Sequence, residues 1–116
     1  MLVRGAAVQP IDFEGLEIHD YTAGRGTSSS LAVIRVPPGV RHRRARSQRS
    51  DKYYYLVFGQ LHFGLEKEEL DLAAGDFVLV PQGRSFWYEN RASEPAVLLL
   101  VHTPAFLLSA EVFEGK

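Results

Sequence analysis

The sequence predicts an all-β fold, a sandwich or barrel built from short strands. Short apolar runs are separated by turn-forming residues every ~8 to 12 positions, a spacing typical of such folds. Apolar and polar residues alternate along several runs, as at Leu61, Phe63 and Leu65, which gives a strand one buried face. No segment has the periodicity of a long amphipathic helix. Together these observations favour a β-barrel with one water-facing mouth.

The strands can be assigned in chain order from the turn-forming residues that end them. They cover residues 16–22, 30–36, 53–58, 61–65, 70–72, 77–80, 85–90 and 96–102. Two prolines and Gly39 end the second strand, because proline cannot donate a ladder hydrogen bond. Residues 66–69 form a charged hairpin tip, and strand 77–80, apolar throughout, is expected to be buried on both faces. We expect strand 85–90 to pair with strand 96–102, and residues 106–113 fit either a short helix or a terminal strand.

The composition indicates one domain, residues 1–116, and narrows its partners. A formal net charge of −1 attracts neither nucleic acid nor a membrane, so neither is an expected partner. The absence of cysteine excludes disulfides and thiolate chemistry. No signal-peptide pattern is visible, and the longest apolar run is too short to span a bilayer. The expected location is therefore cytoplasmic.

A glycine- and proline-containing motif lies near the middle of the second half of the chain. Gly75 is followed by five residues and Pro81, then by one residue and Gly83. Two residues later comes Phe86, and three residues after that comes Asn90. This spacing is the spacing of the second cupin motif, with Phe86 where that motif has a metal-binding histidine.

The first cupin motif can be placed in the same way. Between Gly39 and Gly59 its three ligand positions fall on Ala45, Ser47 and Lys52, with the spacing intact. On these two motifs the chain resembles the cupin superfamily, as a small single-domain, type-2-like member with degenerate metal-ligand positions. The resemblance implies a double-stranded β-helix, or jelly-roll, barrel whose signature-bearing core covers about residues 31–104.

The ligand positions argue against the usual cupin metal. An ammonium at the position of the family's glutamate repels a divalent cation, and alanine, serine and phenylalanine are poor metal ligands. No metal or other cofactor is therefore expected. The alternative is a displaced divalent metal held by two of the four histidines, His42 and His102. Surface or hydrogen-bonded core histidines are the simpler interpretation.

The residues expected to line the barrel suggest a different ligand. Strand alternation turns Lys52 and Tyr54 inward, where an ammonium and a phenol can hold the charged end of a small anionic metabolite. The arginine-rich run 41–49 could form an electropositive mouth, or a solvated strand paired with acidic residues. The predicted ligand-binding residues are Ser47, Lys52, Tyr54, Phe86, Tyr88, Arg43, Arg46 and His102. Three of the rings, of Tyr54, Phe86 and Tyr88, could instead fill the barrel.

Several functions remain open from the sequence. The preferred hypothesis is a module that binds a small anionic metabolite without metal, its biochemical role unassigned. One alternative is an enzyme, either a metal-free sugar-phosphate isomerase- or epimerase-like protein with Lys52 and Tyr54 or Tyr88 as acid and base, or a metal-dependent oxygenase with displaced ligands. Another is a purely dimerising cupin. A homodimer is expected in any case, through the outward-facing Tyr53, Tyr55 and Trp87.

Overall fold

Two antiparallel sheets face each other in the structure, a computed structural model that describes residues 1–115. The strands are β1 (Ile11–Phe13), β2 (Leu16–Asp20), β3 (Ser30–Val36), β4 (Arg41–Ser47), β5 (Asp51–Phe58), β6 (Gln60–Leu65), β7 (Glu68–Ala73), β8 (Phe77–Val80), β9 (Phe86–Glu89), β10 (Ala96–Thr103) and β11 (Glu111–Phe113). One sheet has six strands in the order β1-β2-β3-β10-β5-β8, and the other has five in the order β11-β4-β9-β6-β7. Two short 3-10 turns cover Gly5–Ala7 and Leu108–Ala110. No helix in this part of the chain is long and apolar enough to cross a membrane.

The core lies between the two sheets, because every second side chain of the central strands points inward. In β10 the inward residues alternate with partly exposed ones over the whole strand, and β3 follows the same pattern. Leu56, Phe63 and Leu98 are fully enclosed. The prediction of an all-β, strand-alternating fold is confirmed.

Motif residues hold the ends of the sheets. Gly39 and Gly75, which begin the two motifs, have φ angles of 80° and 96°, a region that favours glycine. Asn90 is completely buried, and its side-chain amide donates to the carbonyls of Val36 and Glu94. The backbone N–H of Gly39 also donates to the Asn90 carbonyl. Asn90 therefore ties the end of β3 to the loop after β9.

The predicted pairing of strands 85–90 and 96–102 is wrong. β9 pairs with β4 and β6, whereas β10 pairs with β3 and β5 in the other sheet. The loop between them carries the chain from one sheet to the other. β9 and β10 therefore lie in opposite sheets, although they are neighbours in the sequence.

Strand β8 is also more exposed than predicted. Phe77 and Leu79 are 55% and 39% exposed, while Val78 and Val80 face the core, so only one face of this edge strand is buried. The charged hairpin is confirmed, since β6 and β7 pair from Leu65 and Glu68 outward, but its tip is only Glu66 and Lys67, and Glu68 and Glu69 already belong to β7. The segment 106–113 contains both predicted forms, a 3-10 turn followed by the strand β11.

Candidate functional site

A cavity of about 280 Å³ lies between the sheets. Its polar end is formed by His42, Lys52, Tyr54, Tyr88, His102 and Glu111. The remainder is mostly apolar and is lined by Ile11, Phe13, Ile18, Ala32, Ile34, Leu100, Phe106, Leu108 and Phe113, with Asp12, Asp20 and Ser30 also contributing. Its aromatic side chains do not fill the barrel. The site thus has a polar end with titratable groups and an apolar wall, the general form of a small-molecule site.

A β-bulge directs His42 into this cavity. His42 pairs with Tyr88 across to β9, and Ala45 pairs with Phe86, so three steps on β4 match two steps on β9. The extra residue shifts the alternation, which allows both His42 and Ala45 to face inward. Strict alternation from Ala45 would have turned His42 outward. This is why sequence reasoning left His42 out of the predicted ligand-binding residues.

The environment of His42 keeps its imidazole neutral. The ring lies 4.9 Å from the ring of Phe86 and 5.0 Å from that of Tyr88, measured between centroids. Burial lowers the pKa of His42 to about 4, and the positive charge of Lys52 acts in the same direction, against a hydrogen bond to the backbone of Arg43 that raises it. Nδ1 lies 2.7 Å from the Arg43 carbonyl oxygen. Since a carbonyl can only accept, Nδ1 carries the proton and Nε2 has a free lone pair.

Lys52 is the centre of a buried polar network. Its ammonium donates to Oε1 of Glu111 at 2.7 Å and to Nε2 of His102 at 2.9 Å. The side chains of Lys52 and Glu111 are each 4% exposed. Burial lowers the pKa of Lys52, although the adjacent Glu111 carboxylate opposes this effect. Burial also lowers the pKa of His102 to about 3, and Lys52 adds to the shift, so His102 accepts as a neutral ring.

The two tyrosines of the cavity are hydrogen-bonding groups and not bases. Both are buried, and burial raises the pKa of Tyr54 and of Tyr88 above the ordinary value. Their phenols therefore remain protonated at neutral pH. The hydroxyl of Tyr88 is buried without a hydrogen-bond partner among residues 1–115, as is Oε2 of Glu111. Within residues 1–115, these two groups and Nε2 of His42 have no hydrogen-bond partner, and all three residues line the cavity.

Four of the eight sequence-predicted ligand residues lie in the cavity wall: Lys52, Tyr54, Tyr88 and His102. The other four lie outside the lining, each with another contact. Ser47 accepts hydrogen bonds from the backbone of Arg49 and Ser50, and Phe86 is fully buried in the core. Arg43 pairs with Glu14 at 2.8 Å, and Arg46 lies 3.7 Å from Glu114. Arg43 and Arg46 thus have acidic neighbours and lie outside the cavity lining.

Glu111 was missed for a different reason from His42. It lies on the three-residue strand β11, beyond the core that the cupin motifs cover, where the sequence left helix and strand open. Pairing with Ser47 places Glu111 beside β4. The backbone N–H of Gln48 donates to the Ala110 carbonyl, which fixes the start of the strand. Only the fold brings this carboxylate to Lys52.

The cavity does not fit the metal that the cupin fold implies. The position of the family's carboxylate ligand carries the Lys52 ammonium, and that ammonium occupies Nε2 of His102. Of the candidate displaced ligands, His42 donates from Nδ1 to the Arg43 carbonyl and keeps Nε2 free, whereas Nε2 of His102 accepts from Lys52. Within residues 1–115, no three histidine, cysteine or acidic side chains form a group able to hold a metal ion. A cation here would also face the charge of Lys52.

Solved structures resemble this fold over nearly its whole length. Pac13 from Streptomyces, described as a unique nucleoside dehydratase, superimposes with a TM-score of 0.85 at 22% identity, covering 98% of this chain and 90% of Pac13. Structures of three Pac13 variants with uridine are also similar to this chain. In one variant a histidine is changed to glutamine, and in each of the other two a tyrosine is changed to phenylalanine.

Two further structures show the same architecture. A predicted oxalate decarboxylase from Thermotoga maritima gives a TM-score of 0.80 at 19% identity, covering 90% of this chain and 99% of that one. A sugar phosphate isomerase of the cupin superfamily from Silicibacter pomeroyi gives a TM-score of 0.77 at 19% identity, covering 89% of this chain and 75% of that one. At these identities the likeness shows the jelly-roll fold alone. The search of curated proteins found no match.

The family model described as a cupin domain matches residues 32–102, more than half of the chain. This range contains both motifs and runs from β3 to β10, so it includes the central strands of both sheets. By this match and by its fold, the chain belongs to the cupin domain family.

Proposed function

We propose that this protein is a metal-free acid–base lyase that eliminates water from a small hydroxyl-bearing carbonyl compound. The observation that carries the proposal is His42, a buried neutral imidazole with its proton fixed on Nδ1 and the lone pair of Nε2 free. A group of this kind is suited to take up a proton from a substrate. The cavity supplies hydrogen-bond donors beside it in Lys52 and Tyr88.

The substrate class follows from the strength of the base. A neutral imidazole is too weak to remove a proton from an ordinary carbon, so the C–H bond must be acidified by a neighbouring carbonyl. The hydroxyl that leaves is then on the next carbon. His42 Nε2 takes the C–H proton, the electron pair forms the C=C bond, and the C–O bond breaks.

The departing oxygen needs a proton to leave as water. Lys52 is the better donor, because its pKa is lowered by burial while that of Tyr88 is raised. Transfer of one proton from Nζ gives water and the unsaturated carbonyl product, with an imidazolium at His42 and a neutral amine at Lys52. A proton then returns from His42 to Lys52 through solvent, which restores the starting state.

The form of the cavity and the likeness to Pac13 support a nucleoside as the ligand. The apolar wall suits a flat base, and the polar end suits a hydroxyl-bearing sugar. The positions substituted in the uridine-containing Pac13 variants agree, to within one residue in each chain's numbering, with His42, Tyr54 and Tyr88. Uridine is therefore the first ligand to test.

Binding of an anionic metabolite, the function preferred from the sequence, is the second candidate. Lys52 favours it as the only lysine in the cavity wall among the described residues. Its charge, however, is already balanced by Glu111 at 2.7 Å. This pairing favours a neutral hydroxyl-bearing ligand over an anion, and recovery of a bound anion unaltered would favour a binding module.

The test is turnover of nucleosides whose sugar has been oxidised to carry a carbonyl. The carbon next to the carbonyl must bear the C–H bond, and the following carbon must bear the hydroxyl that leaves. We expect loss of the mass of one water and a new ultraviolet absorption from the conjugated product. Dialysis against a chelator should leave the rate unchanged. Binding without turnover across the panel, or turnover that requires an added metal, would reject the metal-free lyase.

We also propose that the protein forms a homodimer through the outer face of the six-stranded sheet. Tyr55, Val57, Phe77 and Leu79 are between 39% and 55% exposed on neighbouring strands, and Tyr55 is paired directly with Phe77. An apolar patch of this kind favours association. The sequence-based interface included Trp87, but that ring is 6% exposed because it packs on Gly64 beneath Arg41.

Light scattering should give twice the mass of one chain at micromolar concentration, and Phe77→Glu should give a single chain. Leu2→Glu, at an exposed apolar position outside the sheets, is the matched control and should remain dimeric. A single-chain mass for the unaltered protein at every concentration would contradict the dimer.

A further inference from the structure

Glu111 is a buried carboxylate with only one of its two oxygens engaged. Oε1 accepts from Lys52 at 2.7 Å, while Oε2 is buried without a partner among the residues that the structure describes. An unpaired buried carboxylate oxygen lowers the stability of the fold, because burial removes its hydrogen bonds to water and no protein hydrogen bond replaces them. The strand β11 nevertheless holds it in the cavity wall. On one side of Glu111 the Gln48 N–H donates to the Ala110 carbonyl, and on the other side the Glu114 N–H donates to the Arg44 carbonyl.

A second unpaired group lies in the same wall. The Tyr88 hydroxyl is fully enclosed and lacks a hydrogen-bond partner within residues 1–115. The two groups differ in their hydrogen-bonding capacity. A carboxylate oxygen only accepts, whereas a phenol both donates and accepts. A ligand that satisfies both must therefore bring at least one donor to Glu111 and a polar atom to Tyr88.

An alcohol hydroxyl meets this requirement, because it donates one hydrogen bond and accepts another. An ionised phosphate or carboxylate does not, since it has no proton to donate and is repelled by the Glu111 carboxylate. The positive charge of Lys52, which would attract such an anion, is already paired with Glu111. The arrangement thus selects hydroxyls and rejects ionised groups.

We propose that Glu111 and Tyr88 form a hydroxyl-binding subsite that makes the cavity specific for an uncharged sugar or nucleoside and against its phosphate ester. The proposal rests on the proposed function for the location of the substrate, and it names the substrate class. Glu111 accepts a hydrogen bond from a sugar hydroxyl through Oε2, and Tyr88 orients the same sugar from the β9 side of the cavity. Neither residue is required to move a proton.

The test compares three ligands by titration calorimetry: uridine, its dideoxy analogue that lacks both hydroxyls on the sugar ring, and uridine monophosphate. The unaltered protein should bind uridine about 10- to 100-fold more tightly than the dideoxy analogue, the size expected for hydrogen bonds to a charged group. Uridine monophosphate should bind more weakly than uridine. Equal affinities for uridine and the dideoxy analogue, tighter binding of the phosphate, or no saturable binding of uridine would overturn the proposal.

Glu111→Gln should remove most of the preference for uridine and narrow the gap to the monophosphate, since the amide presents a donor in place of the acceptor and carries no charge. Glu114→Gln is the matched control, because that carboxylate is on the same chain segment but is exposed and lies beside Arg46. It should keep the full preference. Retention of the full preference in Glu111→Gln would refute the role of Glu111.

Tyr88→Phe provides the test if Glu111→Gln fails to fold, because it keeps the ring and leaves the Lys52–Glu111 pair intact. It should lose several-fold in uridine affinity and little in affinity for the dideoxy analogue. An equal loss for both ligands would mean that the hydroxyl of Tyr88 does not read the sugar. All these readouts are of binding, so failure of the water-elimination assay alone would reject the lyase and leave this specificity standing.

Discussion

Replacing His42 with glutamine is expected to lower kcat for water elimination by about 10²- to 10⁴-fold, the usual contribution of a positioned general base. Glutamine has a similar length and can still donate to the Arg43 carbonyl, but its amide cannot take up a proton from carbon. The substrate affinity should change much less than kcat, because the apolar wall and the Lys52 network stay in place. Steady-state kinetics with the oxidised nucleoside separates the two effects.

His19→Gln is the control for this change. His19 lies on β2, bonded to Glu17 and outside the cavity lining, so the variant should retain the full rate. A His42→Gln variant that keeps more than about a tenth of the rate would exclude His42 as the base, whatever happens to binding.

The buried ion pair should dominate the response of stability to mutation. Lys52→Met leaves the Glu111 carboxylate buried, 4% exposed and without its cation, and also removes the donor to His102. Breaking a buried pair from one side costs about 3–5 kcal/mol of unfolding free energy. Chemical denaturation monitored by tryptophan fluorescence measures this loss directly.

The double variant Lys52→Met with Glu111→Leu should recover most of that stability, because two apolar side chains of similar size need no compensation for lost hydration. Arg46→Met is the matched single control, since its contact with Glu114 is at the surface and is worth little. If Lys52→Met were as stable as the unaltered protein, the buried pair would not exist in solution.

Regular strands made much of the site predictable from sequence. β5 and β10 keep strict alternation at their facing residues, so Lys52 and Tyr54 lie in the cavity wall as expected from the motif spacing, and His102 lies there near the end of β10. Tyr88 follows from the same argument on β9. In these strands one known inward position determines the direction of its neighbours two residues away.

The missing part of the site depends on features without a local sequence signal. The bulge in β4 lies within a run of arginines and has no glycine or proline to mark it, so the inward direction of His42 was not visible. Glu111 comes from a three-residue strand whose pairing partner is more than sixty positions earlier. The role expected of Lys52 depended on the same missing contact. From the sequence, Lys52 was expected to bind an anion, but in the fold its charge is paired with Glu111.

Strand pairing failed for a related reason. Residues 85–90 and 96–102 have the pattern of a hairpin, with a short polar loop between two apolar strands. The loop instead crosses from one sheet to the other, and Asn90 fixes that crossing through buried hydrogen bonds to Val36 and Glu94. The exposed face of β8 was likewise mistaken for a buried one, because apolar residues on an outer sheet surface resemble core residues in sequence.

The protonation state of His42 is the most direct test of the account. Nitrogen-15 NMR of the four histidines, with His42 identified by its absence in His42→Gln, gives both the tautomer and the titration midpoint. Burial predicts a neutral ring at pH 7, with the proton on Nδ1 and a pKa of about 4. Such a base stays active as the pH falls and is lost only when it becomes protonated near that value. Titration near the ordinary 6.5, or a proton on Nε2 at neutral pH, would contradict the proposed base.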